Sequence, residues 1–172
     1  MNAVILMIPL FLIRFGILGM LGKKALKRAA YFAPVKGRER AALVWYQIAN
    51  IFIILYPLTL KIRWEKPFYP AALTVYAAGT VILLVATIHF ARPDQTGMNT
   101  AGIYRISRNP MYVGYFFYFL GCVMLTRSLL LLVALVVFQV SAHWMILAEE
   151  RWCISRFGAE YLHYMGQVRR YL

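Results

Sequence analysis

The chain has 172 residues, of which 62% are hydrophobic and only 15% charged, and its mean hydropathy is +0.65. An ordinary soluble domain, at about 45–50% apolar and about 25% charged, is excluded. With 19 Lys and Arg against 6 Asp and Glu the net charge is +13, which on so apolar a chain reads as membrane topology and not as a nucleic-acid surface.

A hydrocarbon core of about 30 Å takes roughly 20 apolar residues of helix. Five stretches answer to that in chain order: residues 3–21, interrupted only by Arg14; 41–60 and 68–90, with no formal charge; the shorter 111–125; and 129–148. The first lacks the charged flank and cleavage site of a signal peptide and is expected to remain a span. Only Thr126, Arg127 and Ser128 separate the last two, which predicts a helical hairpin. Beyond Glu149, the residues Ile154, Phe157, Tyr161, Met165, Val168 and Leu172 recur at steps of three or four, while Arg156, Glu160 and His163 fall elsewhere. That spacing predicts an amphipathic cytoplasmic helix at the C-terminus. The expected fold is an all-α integral membrane protein, one membrane domain over residues 1–172 with five transmembrane helices.

Orientation follows from the basic residues. Lys23, Lys24, Lys27, Arg28, Lys36, Arg38 and Arg40 lie in the first connection, Arg92, Arg105 and Arg108 in the third, and Arg151, Arg156, Arg169 and Arg170 in the tail. Lys61, Arg63, Lys66 and Arg127 fall on the other side. The bias predicts an N-terminus outside, with the third connection and the tail cytoplasmic.

Ionisable groups near membrane depth are costly and mark candidate sites. They gather in two stretches, 89–112 and 143–164, which this topology brings to one side. Asn109-Pro110 is a helix start, with Asn as N-cap and Pro at the first helical position. The free N–H groups there, beside Arg108, suit an anionic ligand group. Tyr112, Tyr115, Phe116 and Phe119 share one face of the helix that follows, and Gly114 and Gly121 permit close helix approach. Glu149 and Glu150, the only adjacent carboxylates, either mark the membrane boundary or face Arg108 and its tyrosines. His143 reads as a hydrogen-bonding partner within the bundle. Cys122 and Cys153 offer neither a disulfide framework nor metal-ligand spacing, and no metal is expected.

Taken in order, Gly102-Ile103-Tyr104, Arg108-Asn109-Pro110-Met111-Tyr112-Val113-Gly114, Glu149-Glu150, Phe157-Gly158 and Tyr161 resemble the isoprenylcysteine carboxyl methyltransferase and phospholipid methyltransferase group of membrane enzymes. The resemblance implies S-adenosylmethionine-dependent methyl transfer to a lipophilic or membrane-embedded acceptor. It places the cofactor on the cytoplasmic side, within residues 91–114 and 149–172. By the same resemblance Gly102, Tyr104, Arg108, Asn109, Pro110, Tyr112, Gly114, Glu149 and Glu150 line the cofactor pocket, with Arg108 and Glu150 as catalytic candidates. Chemically, Arg108 suits the cofactor carboxylate, the acidic pair suits its ammonium or ribose hydroxyls, and tyrosine faces suit its adenine and sulfonium. Glu150 or His143 could take a proton from an amine acceptor.

Three departures are visible. Asn109 stands where the group usually has His, the group's closing Val-Pro-Arg is Val168-Arg169-Arg170, and the stretch 143–148 lacks the arginine with which prenylcysteine enzymes are associated in gripping an acceptor carboxylate. Expected partners are a lipid or lipophilic small molecule and membrane lipids, without nucleic acid or an obligate protein partner. The alternatives are an NADPH-dependent membrane reductase of sterol-reductase type, which shares an Arg-His-Pro-x-Tyr-like segment, and a non-catalytic membrane scaffold.

Overall fold

In the computed structural model, residues 1–65 and 67–172 are described; Lys66, one of the basic residues of the second connection, lies outside them. Among the described residues there is no β-strand, only an isolated bridge between Asn2 and Lys61. Helix α1 covers Ala3–Met20 and is composite, passing from 3-10 through α to a π-helical segment, Leu12–Ile17, and back. A short helix α2 (Lys23–Ala29) follows. Then come α3 (Glu39–Leu55, prolonged by a 3-10 turn to Thr59), α4 (Phe68–Phe90), α5 (Pro110–Thr126), α6 (Leu129–Phe157) and α7 (Ala159–Gln167). Four of these, α1, α3 with its extension, α4 and α6, are long and apolar enough to cross a membrane; α5, at 17 residues, is the shorter apolar helix. The molecule is an all-helical integral membrane protein.

The surface agrees with that reading. Val44, Trp45, Ile48, Ile51 and Leu55 are exposed along α3, as are Leu130, Val133, Val140 and Trp144 along α6. Rows of this kind at helical spacing present apolar side chains to lipid, where exposure costs nothing.

Packing centres on two pairs, α4 with α5 and α3 with α6. The first pair is close because it carries glycines: a Cβ at Gly79 would collide with the backbone of Phe117 and Tyr118, and one at Gly121 with that of Tyr76. Without a hydrophobic drive inside lipid, such approach is what gives two helices their van der Waals contact. Tyr76 and Tyr118 both donate to the Leu6 carbonyl, which holds α1 against this pair. The α5–α6 hairpin forms as expected. Arg127 takes the left-handed conformation (φ 51°) and the Ser128 side chain caps α6 by accepting from the Leu131 amide at 3.2 Å.

The C-terminal region differs from the expectation of one amphipathic helix beyond Glu149. Helix α6 runs unbroken for 29 residues to Phe157, carrying Ile154 and Phe157 as a continuation of the fifth apolar stretch. The chain breaks at Gly158, whose φ of 57° ends the helix, and only the nine residues of α7 follow. Tyr161 and Tyr164 are buried there and Val168 is buried just beyond, but Leu172 is exposed. A step of three or four could not register this break, because Gly158 falls between two positions of the repeat.

The glycine contacts give a direct test. Gly121→Ala is expected to destabilise the protein by about 1–3 kcal/mol through overpacking, read as a lowered thermal midpoint in detergent. Gly166→Ala, where an added Cβ meets nothing, should leave that midpoint nearly unchanged.

Candidate active site

The third connection starts with a turn built on Asp94, whose Oδ1 accepts from the amides of Thr96 and Met98 at 2.9 and 3.0 Å and from the Thr96 hydroxyl at 2.7 Å. A 3-10 turn, Gly102–Arg105, then carries the chain into α5. Gly102 has φ 62°, and a Cβ there would run into the imidazole of His89. Its part is to let this turn sit against the end of α4.

Arg108 ends the connection and reaches the C-terminal segment. Its Nε and Nη2 donate to Glu150 Oε1 at 3.1 and 2.9 Å, and its Nη1 donates to the Met165 and Val168 carbonyls, both at 2.9 Å. Arg170 closes on the same carboxylate, its Nε meeting Oε1 and Oε2 at 3.1 and 3.0 Å and its Nη2 meeting Oε2 at 2.7 Å. Glu150 is 4% exposed. An unpaired carboxylate could not be held there, and two guanidiniums with charge-assisted bonds make the burial tolerable. Around this triad, the Arg108 amide donates to the Arg169 carbonyl, and the Ser107 hydroxyl and Asn109 Nδ2 donate to the Arg170 carbonyl at 3.3 and 3.1 Å.

This rearranges several sequence expectations. Asn109 stands at the N-cap position of α5, but its side chain makes no capping bond; it binds the tail instead. Arg108 has four of its five N–H groups committed to protein acceptors. Both oxygens of Glu150 are taken by arginines. His143 pairs with the Tyr171 hydroxyl at 2.7 Å and is not among the residues around the cavity.

Next to the triad is a cavity of about 770 Å³. Of the nine residues expected to line a pocket, Tyr104, Arg108, Asn109, Tyr112, Glu149 and Glu150 do so. Gly102, Pro110 and Gly114 do not: Pro110 is buried at the start of α5, and Gly114 faces Leu83 of α4, with its Cβ position 2.9 Å from that backbone. Glu149 Oε1 accepts from the Tyr112 hydroxyl at 3.0 Å, and no protein group among the described residues donates to its Oε2. Asn99 Oδ1 is buried and likewise without a partner.

Sequence reading missed how much of this wall comes from the first connection. Lys27, Arg28, Ala29, Tyr31, Phe32 and Ala33 border the cavity, together with Arg14 of α1 and Tyr46 of α3. Three arginines pin this cover. Arg14 donates to the Ala29 carbonyl at 3.0 Å; Arg28 donates to the Phe90 and Gly97 carbonyls, both at 3.4 Å, with its guanidinium 4.7 Å from the Phe90 ring centre; Arg151 binds Glu39 at 2.7 Å. Burial pulls the Arg28 guanidinium below its usual range, an expense that these acceptors offset. Burial also pushes up the phenols of Tyr104 and Tyr161, and that of Tyr164 to about 12, so these rings are neutral faces and hydrogen-bond donors at physiological pH. Tyr31 and Phe32 inside the basic segment gave no distinct signal for this cover, because aromatic residues are common at the headgroup level as well.

The triad makes a quantitative expectation. Glu150→Ala leaves two arginines facing each other, one of them buried, and should cost about 3–5 kcal/mol. Arg170→Ala, removing the partner whose side chain is 32% exposed, should cost about 1 kcal/mol or less. Denaturant titration in mixed micelles ranks the two; equal losses would contradict the assignment of Arg108–Glu150 as the principal pair.

Comparison with known proteins bears on part of the chain that builds this site. No curated protein and no solved structure matches it. The family model described as phospholipid methyltransferase matches residues 71–160, just over half of the chain, from α4 through the acidic pair to the start of α7. The chain belongs to the phospholipid methyltransferase family.

Proposed function

We propose that the protein transfers a methyl group from S-adenosylmethionine to a lipophilic acceptor that enters from the membrane. The observation that carries this is the cavity itself: it joins Tyr104, Tyr112, Glu149 and the buried, unpartnered Asn99 Oδ1, all within the family-matched region, to an apolar wall that includes Leu10, Phe119 and Phe138. A polar end and an apolar end in one space suit a polar cofactor meeting an apolar acceptor.

The residues present fit that cofactor. Asn99 Oδ1 and Glu149 are acceptors for its ammonium, amino or hydroxyl groups, the tyrosine rings offer faces to its aromatic and cationic parts, and Arg108 keeps one N–H for its carboxylate. When bound, the cofactor supplies a methyl carbon already activated by a sulfonium. What the chain has to add is position and dryness. The cover from Lys27 to Ala33 excludes water, and the triad holds the wall in place. An acceptor arriving as an ammonium must lose a proton, and Glu149, with one oxygen uncommitted, is the carboxylate to take it; Glu150 is instead a positioning residue. The distribution of basic residues supports five spans, α5 included, with the N-terminus outside and the site on the cytoplasmic face.

Calorimetric titration of the detergent-purified protein with S-adenosylhomocysteine tests the reading. Saturable binding is expected, weakened about tenfold by Asn99→Ala. Glu149→Gln should lower turnover by about 10²-fold or more, whereas thermal protection by NADPH in place of S-adenosylhomocysteine would contradict the proposal in favour of a reductase.

A further inference from the structure

Arg14 is the only formal charge within Ala3–Met20. It sits in the π-helical segment Leu12–Ile17, a geometry that inserts a residue into a helix and re-aims its side chains, and that is concentrated at functional sites. Its hydrogen bonding among the described residues amounts to one contact, Nη2 to the Ala29 carbonyl at 3.0 Å. It takes part in none of the four ion pairs found among those residues. A guanidinium has five N–H donors, and a cation at membrane depth requires partners.

The other arginines of the cavity wall are differently placed. Arg108 has four of its five N–H groups bonded within the protein, Arg28 bonds two carbonyls and lies over the Phe90 ring, and Arg156 at the end of α6 is exposed, as is Lys27 of α2. Arg14 borders the cavity with donors to spare. Its neighbours on α1 mark the apolar approach: Phe11 and Phe15 stack with ring centres 6.0 Å apart, line the cavity, and are 43% and 65% exposed. On its other side, the Ala29 carbonyl belongs to the connection that covers the polar end. Arg14 is therefore a cation set between a lipid-facing apolar mouth and the region of Glu149. The stretch 143–148 carries no Arg or Lys, and its His143 is paired with Tyr171 away from the cavity, so a permanent charge that recognises an acceptor anion comes from another element.

We propose that Arg14 binds an anionic group of the acceptor, a phosphodiester or a carboxylate lying between the acceptor's apolar tail and its reacting nucleophile, and thereby selects which lipophiles are methylated. This rests on the reading of the cavity as a cofactor and acceptor site. It adds a specificity-determining residue from α1, which lies outside the family-matched segment.

The test uses the full chain in detergent with saturating S-adenosylhomocysteine, and follows binding of three probes: lysophosphatidylethanolamine, which carries a phosphodiester; N-acetyl-S-farnesylcysteine, which carries a carboxylate; and oleylamine, which carries neither. Arg14→Gln is expected to weaken at least one of the anionic probes about tenfold, and Arg14→Lys to weaken it less. Because Arg14 also holds the cover through the Ala29 carbonyl, oleylamine and S-adenosylhomocysteine are expected to weaken in Arg14→Gln by clearly less than the responding anionic probe. Which anionic probe responds identifies the source of the anion. The role of Arg14 is overturned if neither anionic probe binds the wild type, if neither changes in Arg14→Gln, or if oleylamine and S-adenosylhomocysteine weaken equally with them. A wild type that fails to bind S-adenosylhomocysteine overturns the cofactor reading as well, which separates the two failures.

Discussion

The burial of Glu150, in the C-terminal third of α6, between Arg108 and Arg170 is the interaction on which the rest of the site depends. A lone carboxylate at that depth would be expelled or neutralised. Two guanidiniums with convergent donors keep it in place, and because they come from the start of α5 and from the tail, three remote pieces of chain are fixed together. The bonds from Arg108 to the Met165 and Val168 carbonyls and from Asn109 to the Arg170 carbonyl extend the same junction. The cavity wall that contains Tyr104 and Tyr112 owes its position to this junction. Adjacent glutamates thus divide their work: Glu150 faces the arginines, while Glu149, one position earlier and about 100° around the helix, faces the cavity.

A second constraint comes from the first connection. A basic segment between two spans would satisfy topology alone, yet here it folds across the cavity and is held by cations donating to carbonyls and to Glu39. Those contacts place the cover over residues of the family-matched region without belonging to it. The proposed methyl transfer to a lipophilic acceptor calls for a site closed to water but open to an apolar chain, and the arginine-pinned cover lies beside the exposed Phe11 and Phe15.

Much of the fold was legible in the sequence because membrane helices obey length and hydropathy. Residues 68–90 correspond to α4 end for end, and the hairpin at Arg127-Ser128 followed from the short interval between two apolar runs. The continuation of α6 past Glu149 was not legible, since polarity rises there while helix propensity persists and only Gly158 marks the break. At the site, six of the nine residues singled out by type and spacing border one cavity. Their roles were less visible. Which of two glutamates is spent on arginines, or whether Asn109 caps a helix or binds a tail, depends on long-range pairing over tens of residues that periodicity does not encode. The same holds for the cover, whose aromatic pair Tyr31-Phe32 has no meaning until the chain is folded back over the cavity.

The most direct measurement is ultraviolet cross-linking of radiolabelled S-adenosylmethionine to the purified protein, followed by peptide mapping. Saturable label, displaced by S-adenosylhomocysteine, is expected within residues 96–112 and 149–164, the two stretches that meet at the cavity. Label confined to other segments, or label that unlabelled cofactor does not displace, would contradict the assignment of this cavity as the cofactor site.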